Sequence, residues 1–409
     1  MMQLPEEFIR NTRETMGEER FQRYLKSFDE DVPVSIRLNP LKVDSSEWTV
    51  VGGEPVPWCR NGYYLPRRPN FTMDPLLHAG CYYVQEAASM FLDEVLRQHL
   101  PQRPLMALDL CAAPGGKSTL MAAALPEGST LYSNEPIRQR ASILAENAAK
   151  WGFANHIVTN QYPEFYRKSK LRFDVILCDV PCSGEGMFRK DEATIREWSQ
   201  QNVERCWQLQ RDIVSDAWSC LNDGGLLVYS TCTFNTKENE ENVRWICEEF
   251  GAEVLPVDVS PEWNITGSLL PGFDLPVYRF IPGITRSEGL FMAVLRKAGE
   301  TRNAPQKEAK SLLRANAQFT PNKLPVYPGQ KETLPSVELT YPQAIAYLRG
   351  EALVLPEDTP RGIVTVSFLN YPLGTAKNIG SRANNQYPKE WRIKTTHINN
   401  DYEAILRHT

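Results

Sequence analysis

Two thiols in this chain sit where a thiol can do chemistry. One follows an apolar run, in Asp179-Val-Pro-Cys182-Ser-Gly-Glu-Gly, and the other follows a second apolar run, in Tyr-Ser-Thr-Cys232-Thr-Phe. A chemistry that needs such a pair is known in outline from organic reactivity. Carbon 5 of a pyrimidine is a poor nucleophile, but a thiolate adding at carbon 6 makes it enamine-like, able to attack a sulfonium methyl group. The proton on carbon 5 must then leave and the thiolate be eliminated, a step that a second thiol can assist. A carboxylate near ring nitrogen 3 can hold the base and stabilise its charged form. Asp179 is the candidate. The other cysteines read differently: Cys178 lies within a strand pattern, and Cys206, Cys220 and Cys247 lie in helical ones. Buried free cysteines usually act as small hydrophobes.

A second cluster suits a cofactor. Asp109-Leu-Cys111-Ala112-Ala113-Pro114-Gly115-Gly116-Lys117-Ser118 follows a strand pattern and opens a helix. Paired glycines let a backbone approach a ligand closely, and open α/β sheets bind ligands at the carboxyl ends of their strands. The Walker A spacing is absent, as is a G-x-G-x-x-G fingerprint, so neither ATP nor a dinucleotide is expected. The next strand pattern ends in Ser-Asn-Glu135-Pro, and an acid there can accept hydrogen bonds from both ribose hydroxyls. A nucleoside without phosphates fits both features, and S-adenosylmethionine is such a molecule. A plain tight turn beside a surface acid would carry the same residues.

The elements that must position these groups run from Val84 to Lys297. Apolar strand patterns at LMALDL, STLYSN, HIVTNQ, FDVILCDV, GLLVYSTCTF, AEVLPVD and GLFMAVLRK are separated mostly by helical ones. Repeated βα units predict a doubly wound, largely parallel sheet. The stretch ATIREWSQQNVERCWQLQRDIVSDAWSCL reads as one long helix ended by Gly224–Gly225. Residues 1–84 read as a small α+β unit, with a helical segment anchored by Phe8, Phe21, Leu25 and Phe28 and then a strand at VSIRLNP. Residues 85–297 form the sheet domain, 298–335 a Pro- and Lys-rich linker, and 336–409 a small α+β or barrel-like module. There is no internal repeat.

Composition frames the partners. The 409 residues carry 45 basic and 50 acidic side chains, a net of −5 that would usually argue against nucleic acid. The charge is uneven: residues 301–409 hold 14 Lys and Arg against 9 Asp and Glu, and the first 300 residues hold 31 against 41. In the tail, Arg361, Lys377, Arg382, Lys389, Arg392 and Lys394 alternate with Phe368, Tyr371, Tyr387 and Trp391. Cations can contact phosphates and aromatics can stack on unpaired bases, so an RNA surface is expected there, extended by Arg37 and the Arg67–Arg68 pair. The target base must leave its stack to be modified. No apolar run approaches the ~18 residues of a membrane span. The polar start does not read as a signal peptide. Unpaired cysteines without zinc spacing suit a reducing cytoplasm and no metal.

The motifs DLCAAPGGKST, SNEP, CDVPCSGEGMFRKD and YSTCTFNTKENEENV closely resemble the signatures of the Nop/Sun family of RNA cytosine-5 methyltransferases, across roughly residues 30–300. AIAYLRGEAL and PLGTAKNIGSRANNQYPKEWRIK resemble the PUA-like tail of its bacterial RsmF-type branch, which acts on 16S ribosomal RNA. PEEFIRNTRETMGEERFQRYL suits the same branch, and no NusB-like domain is expected. The resemblance implies a Rossmann-like class I methyltransferase core flanked by an N-terminal α+β domain and a PUA-like C-terminal domain. It implies that Cys232 attacks carbon 6, that Cys182 assists product release, and that Cys111 to Lys117 line S-adenosylmethionine. Glu135 would bind the ribose, Asp179 would lie between cofactor and base, and Lys190 would help position the substrate. The family often has an acid near the adenine where this chain reads Val158-Thr-Asn160-Gln-Tyr-Pro, so either Asn160 replaces it or that contact is missing. A transfer-RNA substrate is the alternative within the class. A non-catalytic ribosome assembly factor is the alternative outside it, although a scaffold needs neither thiol.

Overall fold

The computed structural model describes residues 4–300, 334–395 and 401–409. Most of the expected linker lies outside them. The chain opens with helices Glu6–Met16 and Glu18–Lys26, turned at Gly17, whose φ of 77° suits glycine. Five short strands follow: β1 (Val34–Leu38), β2 (Trp48–Val50), β3 (Glu54–Pro55), β4 (Gly62–Leu65) and β5 (Tyr82–Val84). Four of them form a sheet in the order β3-β4-β1-β5.

The central sheet contains β6 (Met106–Asp109), β7 (Thr130–Asn134), β8 (His156–Thr159), β9 (Phe173–Asp179), β10 (Leu221–Thr231), β11 (Glu253–Leu255), β12 (Tyr278–Phe280) and β13 (Leu290–Arg296). Its order is β11-β13-β10-β9-β6-β7-β8, with β12 also paired to β13. Strands β6 to β10 are parallel, and β13 runs antiparallel to its neighbours. This is the expected doubly wound core with an antiparallel edge. Helices cover both faces, so the middle strands are apolar throughout rather than alternating: in β9, Phe173, Val175, Ile176, Leu177 and Cys178 are all buried. Strand order reverses between β6 and β9, and the crevice at such a switch point is where ligands bind in these folds.

The C-terminal module adds β14 (Ser336–Glu338), a helix at Tyr341–Leu348 capped at its N-terminus by a Thr340/Gln343 capping box, β15 (Gly362–Phe368), β16 (Tyr371–Asn378) and β17 (Ala383–Asn385). The last strand, β18 (Leu406–His408), returns to pair with β2. The N-terminal residues divide their apolar side chains among three cores, with Val56, Trp58 and Tyr64 joining one of the central sheet's own. Ile36, Leu38, Leu76 and Tyr82 share one with Tyr347, Val366 and Leu373 of the C-terminal module. Phe8, Phe21 and Tyr24 share another with Phe188, Trp198 and Phe234 of the central domain.

Three expectations need correction. The long helix is two, Glu192–Glu197 and Gln200–Cys220, because Trp198 and Ser199 are extended and Ser199 caps the second through Asn202 N–H. Arg37 is buried rather than on a nucleic-acid surface. It donates to Gln85 Oε1 at 2.7 Å, Thr119 Oγ1 at 2.7 Å and the Gly116 carbonyl at 3.1 Å, with its guanidinium over Trp151. Phe368 and Tyr387 are core residues of the C-terminal module, because alternation along β15 and packing against Tyr347 turn them inward. Tyr371 and Trp391 stay partly exposed, and Arg361, Lys377, Arg382, Lys389 and Lys394 are exposed.

Candidate active site

The carboxyl ends of β6, β7, β9 and β10 bring the two clusters together. After β6 the chain turns through residues 110–115, with Ala113–Pro114 in the cis form, and Gly115 at φ 118° begins the helix Gly116–Ala124. A Cβ on Gly115 would stand 3.3 Å from Leu144, so glycine suits the position in both conformation and space. The neighbouring helix Arg138–Trp151 holds this loop by its backbone. Asn147 donates to the Pro114 carbonyl at 2.8 Å, and Arg140 to the Ala113 carbonyl at 3.1 Å. Ala112 N–H bonds to the Asn134 carbonyl at the end of β7.

Glu135 follows β7 and is 2% exposed. One oxygen accepts the Ile137 N–H at 3.0 Å and the other meets Arg140 at 3.2 Å, leaving further lone pairs. Asn160 lies beside it, but its amide donates to the Glu135 and Pro136 carbonyls at 2.7 and 2.8 Å. It therefore braces the acid's backbone. Asp109, beneath the loop, accepts the Ser118 hydroxyl at 2.6 Å, and burial pushes its carboxyl up to about 7. Burial likewise drives the Cys111 thiol far above its usual range, so it stays protonated.

Lys117 connects this cluster to the other. Its ammonium lies 2.7 Å from Asp179 at the end of β9. Burial pulls the Lys117 pKa down, but the charge and hydrogen bond of Asp179 more than offset that, and it remains cationic. The Ser230 hydroxyl donates to the other Asp179 oxygen at 2.7 Å. Cys182 and Cys232 converge on the same crevice, with their sulfurs 3.1 Å apart and the Cys232 N–H 3.3 Å from Cys182 Sγ. The hydrogen bond to Cys232, then burial, hold Cys182 well above the ordinary thiol range.

Sequence reasoning passed over the group that fixes this pair. Glu185 is 2% exposed and accepts from five donors. These are the Trp198 indole at 3.0 Å, the Thr233 hydroxyl at 2.7 Å, the Phe234 and Asn235 N–H groups at 2.8 and 2.9 Å, and the Asn235 amide at 3.2 Å. The turn carrying Cys232 is thus tied to the loop carrying Cys182. The break at Trp198–Ser199 is what lets Trp198 reach Glu185. Gly186 N–H also donates to the Cys232 carbonyl at 2.8 Å. Behind it, Glu238 accepts from Ser183 N–H, Gln210 and Asn235, and burial raises it to about 7. Among the described residues, no cluster of His, Cys, Asp and Glu could hold a metal ion.

Comparison with known proteins places the chain in a family. Residues 97–296 match the family described as 16S rRNA methyltransferase RsmB/F. Residues 4–87 match the N-terminal domain of 16S rRNA methyltransferase RsmF, and residues 334–393 match the RsmF PUA domain. The ribosomal RNA small subunit methyltransferase F of Shigella dysenteriae serotype 1 is 30% identical over 94% of this chain and 96% of its own length. The chain belongs to this methyltransferase family. The protein of the same name from Erwinia tasmaniensis is 28% identical, over 94% and 96%. Among solved structures, a methyltransferase homolog protein from Pyrococcus horikoshii aligns with a TM-score of 0.61 and 26% identity, covering 72% of this chain and 96% of its own. NSun6 from the same organism aligns at 0.60 with 21% identity, covering 72% and 99%. The RsmF-type match spans all three parts of the fold: N-terminal domain, Rossmann-like methyltransferase core and PUA domain. The loops after β6, β9 and β10 all fall within the methyltransferase match.

Proposed function

We propose that this chain methylates carbon 5 of a cytosine in 16S ribosomal RNA through a covalent adduct between Cys232 and carbon 6. The observation that carries the reading is the contact of Cys182 and Cys232, on loops after adjacent parallel strands, next to the Lys117–Asp179 pair. A single thiol would suffice for many reactions. Two in contact suit one that must both form and dissolve a carbon–sulfur bond.

The cofactor site fits S-adenosylmethionine. The loop from Cys111 through Ala112, Ala113, Pro114, Gly115 and Gly116 presents small side chains and backbone. Glu135 offers a carboxylate for a ribose, and the loop lacks the Walker A phosphate cradle. When bound, that cofactor supplies an electrophilic methyl group. The chain's own residues do the rest. Cys232 adds to carbon 6 and makes carbon 5 nucleophilic. Asp179 faces the base edge, with its charge held by Lys117 and Ser230. After methylation the carbon 5 proton departs, the Cys232 thiolate is expelled, and Cys182 assists that release.

The test uses two variants of the full chain with 16S ribosomal RNA, small ribosomal subunits and S-adenosylmethionine. Cys232→Ser is expected to abolish both methyl transfer and any protein–RNA adduct. Cys182→Ser is expected to let an adduct accumulate. Full activity in Cys232→Ser would overturn the nucleophile assignment. Bisulfite mapping of the RNA then locates the base, and a mark found on transfer RNA alone would move the substrate.

A further inference from the structure

A cavity of about 930 Å³ lies between the N-terminal sheet and the loop that follows Cys182. Arg67, Arg68, Arg189, Lys190 and Arg286 line it against two acids, Asp31 and Glu86. Two of the arginines are held in place by carboxylates from other segments. Arg286 lies 4.2 Å over the Tyr64 ring and pairs with Glu54. Arg67 pairs with Glu403 at 2.6 Å, tying the C-terminal segment to this wall. All four side chains are exposed, and exposed pairs contribute so little to stability that they exchange readily. A phosphate offers a guanidinium the same two-oxygen face as a carboxylate.

Two of the residues that line the cavity, Arg189 and Gln85, also bury a donor that has no partner among the described residues. The Arg189 side chain is 5% exposed, with Nη1 on Glu288 at 3.1 Å and Nη2 on the Glu30 carbonyl at 3.1 Å. Its Nε has no partner among the described residues. Gln85 is 6% exposed, and its Oε1 accepts from Arg37, which fixes the orientation of the amide. Its Nε2 likewise has no partner among the described residues. That nitrogen lies 3.5 Å from where a Cβ on Gly116 would stand, so the cavity borders the cofactor loop at Gln85.

We infer that the cavity seats the single-stranded RNA flanking the target base. Glu54 and Glu403 are placeholders that its phosphates displace from Arg286 and Arg67. The inference rests on the RNA-substrate reading above and adds where the strand lies and what holds the site open before it arrives. It has a distinctive sign: removing two acids that pair with the arginines strengthens RNA binding.

The test measures fluorescence anisotropy of a short labelled single-stranded RNA of mixed sequence, titrated over a range of salt. The protein is the full-length Cys232→Ser chain without cofactor, so that no chemistry enters. Arg68→Ala with Lys190→Ala is expected to weaken binding severalfold. It should lower the log–log salt slope by about 1.4, at about 0.7 per phosphate contact on a single strand. Glu54→Gln with Glu403→Gln is expected to tighten binding, a result that misfolding cannot imitate. An unchanged slope in the first pair overturns the site, as does unchanged or weaker binding in the second. So does displacement of the RNA by a polyglutamate peptide more readily than by unlabelled RNA. If the parent chain binds no RNA at all, the substrate reading itself fails.

Discussion

The two loop systems at the ends of the parallel strands are built on opposite principles. The turn after β6 presents almost no side chains. It is held from behind, through its carbonyls, by Asn147 and Arg140. The turns after β9 and β10 are held from within, by Glu185 and Glu238 and the donors that surround them. The difference fits what the proposed mechanism asks of each loop. A loop that admits a nucleoside has to leave its inner face empty, so its conformation is set by glycine and by backbone contacts on the far side. A pair of thiols that must meet a ring carbon in turn has to be fixed in position. Buried charge-assisted hydrogen bonds give that rigidity at the expense of desolvation.

The sharpest way to break this contrast is to remove the inner brace. Glu185→Ala leaves the Trp198 indole and the Phe234 and Asn235 N–H groups without their acceptor, while the Thr233 hydroxyl keeps Ser183 and the Asn235 amide keeps Glu238. Each unsatisfied buried group costs about 1–3 kcal/mol, and relaxation around the gap recovers part of the sum. Methyl transfer is expected to fall by about a hundredfold or more, with a marked drop in melting temperature. Glu185→Gln keeps the shape and an acceptor oxygen, and should retain more of both. The informative measurement is the split between rate and cofactor affinity. Loss should fall on the rate of adduct formation, and S-adenosylmethionine binding, followed by calorimetry, should stay close to that of the parent. An equal loss of cofactor affinity would mean that the two loops are one mechanical unit.

The outer-held loop should fail in the reverse way. Gly115→Ala places a Cβ at φ 118°, close to Leu144 and Asn147. A non-glycine residue in that region costs on the order of 1–3 kcal/mol, which corresponds to roughly tenfold or more in cofactor affinity. Adduct formation at saturating cofactor should be nearly unchanged. A rate defect that saturating cofactor does not relieve would erase the distinction.

The same contrast explains what the sequence disclosed. The β6 loop was legible as a string because its chemistry is local: strand, small residues, paired glycines, helix. Cys182 and Cys232 were legible because each ends an apolar run in a polar turn. Glu185 stood in plain view in Ser-Gly-Glu-Gly, yet its partners are 13 to 50 residues away, and no spacing rule links a carboxylate to a distant turn. Arg37 was misplaced for a related reason. A cation in a short strand reads as surface unless its acceptors are known, and those come from Gln85, Gly116 and Thr119. The break at Trp198–Ser199 carries neither Gly nor Pro, so it was invisible to helix-stop signals. The pairing of β18 with β2 joins segments more than 350 residues apart and leaves no local trace at all.

The smallest expected effect on activity tests whether the buried acid beneath the cofactor loop belongs with the inner-braced system. Asp109 is fully buried and its carboxyl is raised to about 7, against an ordinary value near 3.8. The folded state therefore holds this proton more tightly than the unfolded chain does. Its contribution favours folding on the acid side and is lost as pH rises from about 4 through about 7. Glu238 and Glu288, also raised to about 7 by burial, act in the same direction. Asp109→Asn is neutral at every pH and should remove one proton's share of that decline, at most about 1.4 kcal/mol per pH unit. Urea unfolding across pH 5 to 8 measures it. The variant should lose comparatively more stability at acid pH and less near neutrality, with little change in methyl transfer at saturating cofactor. A stability curve parallel to the parent's would mean that Asp109 is already ionised in the folded chain. In that case the cofactor loop rests on a buried charge, as the cysteine loops do, and the two systems differ less than their hydrogen bonds indicate.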